Sequence, residues 1–185
     1  YFETRFTGGN VSIRVSETGT SYYNVFVDKK LHRVVKVCGT DTLINVVSGI
    51  DKRIHSLKIQ KRSEGEFGKT TIHQFVLSAS GRLMEETEVR TRHIEFIGNS
   101  LTCGYGTDGK HRDDPFLVET ENCNRTFAAM IARYYDADYT LIAHSGRGAA
   151  RNYGDSVRVS KVTMKDRMLN TFDEDFTLRW NFTAY

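Results

Sequence analysis

Ser100 and Gly146 are the residues of this sequence best placed to do chemistry. Ser100 follows the apolar run His93–Ile97 and the turn Gly98-Asn99, and Gly146 follows the run Tyr139–Ala143 and His144-Ser145. A serine in a tight turn presents its hydroxyl and its own backbone N–H together. A glycine there leaves its N–H unobstructed for an oxyanion. Together they suit acyl transfer, in which a serine attacks a carbonyl and backbone donors hold the developing charge. A serine behind a strand is also an ordinary turn or helix-capping residue, and Gly98-Asn99-Ser100-Leu101-Thr102 is not a Gly-x-Ser-x-Gly nucleophile elbow. Of the six histidines (His32, His55, His73, His93, His111 and His144), His144 lies near the site in sequence, two residues before Gly146. His55 and His73 fall in strands and read as structural.

The elements that position the pair follow from the change of hydrophobic period. Phe127, Met130, Ile131 and Tyr134 recur at i, i+3, i+4, i+7, one face of a helix that Asn124 or Thr126 caps. With His93–Ile97 before it and Tyr139–Ala143 after it, this is a strand–helix–strand unit with parallel strands. Ligands of open α/β sheets bind beyond the carboxyl ends of the strands, where Ser100 and Gly146 both fall. Before residue 93 the period is two. Val11, Ile13 and Val15 alternate with Ser12 and Arg14. Further strands are expected at 22–27, 32–37, 41–47, 54–60, 71–77 and 82–84, with the opening Tyr1–Arg5 reading as the inside of another. The expected fold class is a β-sandwich of jelly-roll type over residues 1–92, followed by the first part of an α/β/α domain with a parallel sheet over residues 93–185.

Composition excludes several classes. Of 185 residues, 39% are hydrophobic and 26% charged, a composition that folds. No stretch has the roughly 18 uncharged apolar residues of a membrane span. The start, Tyr1-Phe2-Glu3-Thr4-Arg5, lacks the basic and apolar regions of a signal peptide, and an upstream segment is expected to have been removed. The net charge of +3 arises in the first half, where basic residues alternate with apolar ones as on a solvated strand face. Neither nucleic acid nor a membrane is expected as a partner. Cys38, Cys103 and Cys123 are too few for a disulfide framework and lack metal-ligand spacing. Cys103 and Cys123 bracket the loop after Ser100, and both a bridge and two free thiols are compatible with that.

Gly98-Asn99-Ser100-Leu101-Thr102-Cys103-Gly104-Tyr105-Gly106 resembles the first block of the SGNH (GDSL-like) hydrolases. His144-Ser145-Gly146-Arg147-Gly148 resembles their second block. Over the whole chain the sequence is similar to carbohydrate esterase family two, in which a jelly roll precedes an SGNH domain. The similarity runs through Val25-Phe26-Val27-Asp28, Glu95-Phe96-Ile97-Gly98, Thr120-Glu121-Asn122, Arg151-Asn152-Tyr153-Gly154 and Trp180. The resemblance implies a secreted or periplasmic serine esterase that deacetylates plant polysaccharides or their oligosaccharides, with neither metal nor organic cofactor. It makes Ser100 the nucleophile, Ser100 and Gly146 the backbone oxyanion donors, and Tyr105 and Arg147 substrate-binding residues.

The sequence departs from the family pattern in two places. Asn99 stands where the first block usually has Asp, keeping shape and hydrogen bonding but not charge. The Gly-x-Asn-Asp and late Asp-x-x-His motifs, which carry a side-chain oxyanion donor and the general base, do not occur. His144 falls where the family has the end of its second strand, and it reads as a structural or substrate-side residue. The resemblance therefore places the base and the side-chain donor in a C-terminal portion, part of the same enzyme or another chain, and residues 1–185 alone are expected to be inactive. Two other functions fit the same residues. One is a lipase- or thioesterase-like SGNH hydrolase, which the polar loop of Tyr105, His111, Arg112, Asp113 and Asp114 disfavours. The other is a non-catalytic carbohydrate-binding protein using exposed aromatics among Tyr22, Tyr23, Phe26 and Phe67.

Overall fold

The computed structural model describes residues 1–87 and 90–181. The chain divides into two compact units, residues 1–63 with 67–89, and residues 64–66 with 90–185. Most of the sheet is antiparallel, and one small sheet is parallel.

The first unit holds β1 (Phe2–Phe6), β2 (Val11–Glu17), β3 (Thr20–Val27), β4 (Lys30–Cys38), β5 (Thr42–Val47), β6 (His55–Lys61), β7 (Thr70–Leu77) and β8 (Leu83–Met84). They form a five-stranded sheet ordered β4-β3-β6-β1-β8 and a three-stranded sheet ordered β5-β2-β7. Alternation explains the burial. Val11, Ile13 and Val15 of β2 join Val25, Val37, Leu57 and Ile59 of the other sheet in one apolar core, each fully or almost fully buried. Burial of each such side chain stabilises the fold by about 1.5–3 kcal/mol. On the opposite face of β2, Arg14 meets Asp41 in an exposed ion pair at 2.6 Å.

Two polar features of this unit correct or extend the sequence reading. The β3–β4 hairpin turns through Asp28 and Lys29 at φ +50° and +64°, the type I′ geometry that matches strand twist. The Asp28 carboxylate accepts from Ser56 N at 3.0 Å and from His55 Nδ1 at 2.7 Å. His55 also reaches Asp51 through Nε2 at 3.0 Å, so this buried strand histidine has two carboxylate partners. Burial pulls its pKa down, but the hydrogen bonds and charges of Asp28 and Asp51 outweigh that and raise it. The carbohydrate-binding alternative calls on aromatics of this unit. Tyr22, Tyr23, Phe26 and Phe67 are all partly buried, and Tyr23 packs on the core with its hydroxyl 2.6 Å from Thr70 Oγ1.

The second unit contains β9 (His93–Gly98), α1 (Ser100–Cys103), α2 (Phe127–Tyr134), β10 (Asp138–Ala143), α3 (Met164–Arg167), β11 (Asn170–Phe172) and β12 (Asp175–Arg179). β9 and β10 pair in parallel from His93 opposite Asp138 to Gly98 opposite Ala143. Thr126 caps α2 through its hydroxyl, which accepts from Ala129 N at 3.4 Å, whereas Asn124 accepts from Arg133 instead. The buried face of α2 is Ala128, Ala129 and Ala132. Phe127, Met130, Ile131 and Tyr134, whose spacing revealed the helix, are exposed. Small side chains let the helix lie close to its neighbours while the large ones remain exposed. The hairpin β11–β12 and the single turn α3 were not expected from the sequence. The end of the chain, where the resemblance places the approach to a third parallel strand, lies outside the described residues.

Candidate active site

Ser100 opens α1 directly behind β9. Asn99 is extended at φ −127°, and its side-chain oxygen caps the helix by accepting from Leu101 N at 3.2 Å. An amide oxygen does this as well as a carboxylate would, so Asn at this position keeps the turn. Gly104, at φ +87°, closes the helix and returns its N–H to Ser100 O at 3.0 Å. Gly98 admits no side chain, since a Cβ there would lie 2.0 Å from Thr102 Oγ1. The helix folds tightly back on the strand end and leaves Ser100 half-buried.

Gly146 lies beyond the parallel partner. His144 N continues toward Gly98 O at 3.4 Å, and the chain then turns through Gly146 at φ +74°. Tyr153 N donates to Gly146 O at 2.8 Å, closing the loop on itself. Asn152 fixes that loop from inside. Its side chain accepts from Gly148 N at 3.3 Å and donates to Val162 O at 2.8 Å, and its backbone N–H donates to Ser160 Oγ at 2.8 Å. Because β9 and β10 run in register, Ser100 and Gly146 emerge at the same end of the sheet. Arg147 is half-buried. Tyr105 is half-exposed and stacks on Phe116, with centroids 3.9 Å apart. Tyr153, quoted above only as part of a matching stretch, is 93% exposed while its backbone is tied to Gly146.

Behind these loops lies a cluster of ionisable groups that sequence reading missed. His144 is buried, with Nδ1 2.5 Å from Asp173 Oδ2 and Nε2 3.3 Å from Glu66 Oε2. Burial depresses its pKa, but the hydrogen bond and charge of Asp173 and the charge of Glu66 prevail and raise it. Both ring nitrogens therefore face carboxylates, which suits a cationic imidazolium more than a proton acceptor for Ser100. Buried Arg167 approaches the same acids, with Nη1 2.8 Å from Glu174 Oε1 and 3.5 Å from Asp173 Oδ1. The second part of the cluster is Glu64, Cys103 and Glu121, all buried. Glu64 Oε2 accepts from Ser145 N at 2.7 Å and from the Cys103 thiol at 3.3 Å. Burial, then the charge of Glu64, pushes the Glu121 carboxyl up to about 9. Burial also raises the Cys103 thiol well above its ordinary value. Cys38, Cys103 and Cys123 form no disulfide with one another.

Two triplets, Glu64–Cys103–Glu121 and Glu66–His144–Glu174, bring possible metal-ligand atoms within 4.8 Å of one another. In the second, the guanidinium of Arg167 lies 2.8 Å from Glu174 Oε1 and already meets that carboxylate with positive charge.

The family model described as carbohydrate esterase 2 N-terminal matches residues 1–102. The cellulase/esterase CelE of Acetivibrio thermocellus is 31% identical over 183 residues, covering 99% of this chain and 22% of that protein. An acetylxylan esterase / glucomannan deacetylase of Cellvibrio japonicus is 30% identical over 177 residues, covering 94% of this chain and 48% of its own length. The solved structure of a family two carbohydrate esterase from Clostridium thermocellum in complex with cellohexaose superposes with a TM-score of 0.91 at 31% identity, covering 99% of this chain and 55% of that one. The chain thus spans about half the length of that structure and less than half of the two curated relatives.

Proposed function

Because the chain belongs to carbohydrate esterase family two, we propose that it serves a serine O-acetyl esterase that removes acetyl groups from plant polysaccharides of the xylan or glucomannan type. On this reading the first unit is a jelly roll, the second is the opening part of an SGNH-type α/β/α domain, and the enzyme works outside the cytoplasm. The observation that carries the reading is the parallel register of β9 and β10, which brings the Ser100 turn and the Gly146 loop to one end of the sheet.

The mechanism follows from that placement. A general base takes the Ser100 hydroxyl proton as Oγ attacks the acetyl carbonyl, forming a C–O bond while the carbonyl π electrons move to oxygen. The N–H groups of Ser100 and Gly146 stabilise the resulting oxyanion. Its collapse breaks the ester C–O bond and expels the sugar oxygen, which takes that proton from the base. Water, giving a proton to the same base, then attacks the acetyl-serine, and acetate leaves as Ser100 Oγ regains the proton. His144, with both nitrogens on carboxylates, is not the base. We assign the base, and a side-chain oxyanion donor, to the part of the relatives' length that this chain does not span. Tyr153 offers an exposed ring beside Gly146 on which a sugar face can stack, with Arg147 and Tyr105 as further substrate contacts. The test is acetate release by the intact protein from acetylated glucomannan and xylan, compared with long-chain p-nitrophenyl esters. Ser100-dependent release from the polysaccharides supports the reading. A preference for long acyl chains points to a lipase-like enzyme, and sugar binding without turnover to a binding protein.

A further inference from the structure

Glu64 belongs by packing to the second unit, although it lies in the connection between β6 and β7. One of its oxygens joins two elements that the chemistry needs together. Oε2 accepts from the thiol of Cys103, the last residue of α1, which Ser100 opens. The same atom accepts from the backbone N–H of Ser145, directly before Gly146. We propose that Glu64 is a positioning residue for the esterase reaction: its buried carboxylate holds the Gly146 loop at a set distance and orientation from the Ser100 helix. This inference rests on the esterase reading.

The surroundings make the device sensitive to pH in a defined direction. Glu121 is fully buried against Glu64, and its Oε2 accepts from Glu64 N at 3.0 Å. Its raised pKa keeps Glu121 neutral at neutral pH. Cys103 of α1 also faces the pair. Glu66, on the Glu64 segment, adds negative charge and leads to His144 at the end of β10, with Asp173 and Glu174 of the β11–β12 turn and Arg167 of α3 beyond. When alkali removes the Glu121 proton, two carboxylates share one buried space, and repulsion moves Glu64 off Ser145 N–H.

The experiment is steady-state deacetylation by the intact protein across pH, with folding checked by melting curves. Glu64→Ala is expected to lower kcat by about 10²-fold, since small misplacements of reacting groups cost that much, with KM within about twofold. Glu64→Gln, which keeps an acceptor oxygen, is expected to lose less. Glu121→Gln is expected to remove the decline of kcat above pH 9. A folded Glu64→Ala with wild-type kcat, a loss confined to KM, or an alkaline decline unchanged in Glu121→Gln each overturns the proposal. If Glu64→Ala does not fold, Glu64→Gln and the Glu121→Gln profile still decide it. If the wild type shows no Ser100-dependent turnover, the esterase reading fails separately. The Ser145 amide proton resonance then tests the contact. It is expected downfield in the wild type and moved upfield in Glu64→Gln, and an unmoved signal sinks the proposal.

Discussion

Replacing Gly146 with alanine separates what the backbone needs from what the reaction needs. At φ +74° Gly146 is in the left-handed region, where a Cβ costs about 1–2 kcal/mol. Crowding adds nothing, because the nearest heavy atom to that Cβ would be Tyr153 Cβ at 4.0 Å. Gly154, at φ +80° with no heavy atom within 4 Å, is a matched control. Gly146→Ala and Gly154→Ala are therefore expected to lose the same stability, about 1–2 kcal/mol in urea or thermal melts. Their kinetics are expected to differ. If the Gly146 N–H binds the oxyanion, relaxation of the strained backbone misaims it, and kcat falls about 10²–10³-fold, equivalent to about 2.7–4 kcal/mol. Gly154→Ala should retain kcat. The assay is kcat and KM for acetate release by the intact protein, with melting curves in parallel. Equal kcat in the two variants, or a Gly146→Ala effect on KM alone, would refute the oxyanion assignment.

Ser100→Ala is expected to keep the melting temperature and lose on the order of 10⁶ in kcat, read as acetate release; near-normal turnover would remove Ser100 as nucleophile. Tyr153→Ala is expected to raise KM for acetylated polysaccharide more than for a small acetate ester, and equal effects on both would argue against sugar stacking. His55 has a raised folded pKa, so its ion pairs contribute stability fully below the ordinary histidine value and lose it as pH rises through the folded one. The wild-type melting temperature is therefore expected to fall over that window and the His55→Gln profile to be flatter; parallel profiles would show that the Asp28–His55–Asp51 contacts do not set the dependence. Residues 1–185 alone are expected to hydrolyse p-nitrophenyl acetate no faster than their Ser100→Ala variant, and Ser100-dependent turnover would place a base within them.

What was legible in the sequence was local. β2 announced itself because Val11, Ile13 and Val15 repeat every second residue against one core, and a period-2 pattern admits one register. α2 was legible from a stripe that turned out to be its outer face, because periodicity reveals a helix without saying which side is covered. The buried side, Ala128, Ala129 and Ala132, carries little hydrophobic signal. The β11–β12 hairpin escaped because its turn, Asp173-Glu174, lacks the glycine or asparagine that marks such turns. α3 did carry a signal, the capping box of Thr163 with Asp166, but one turn of helix is too short for a period to support it.

The same division runs through the candidate site. Ser100 and Gly146 were legible because each is made by its own neighbours, a strand end, a turn and a glycine. Glu64 was not, because its meaning lies in partners 39, 57 and 81 residues away in Cys103, Glu121 and Ser145. Nothing in Arg62-Ser63-Glu64-Gly65-Glu66 distinguishes that acid from a solvated loop carboxylate. Folding supplies the distinction by burying it, and a buried carboxylate persists only where donors meet it. Here those donors are a thiol of the serine's helix and an amide of the glycine's loop. The groups to which the chemistry is assigned can thus be read from short stretches, whereas the group proposed to set their separation becomes visible only once distant segments are brought together.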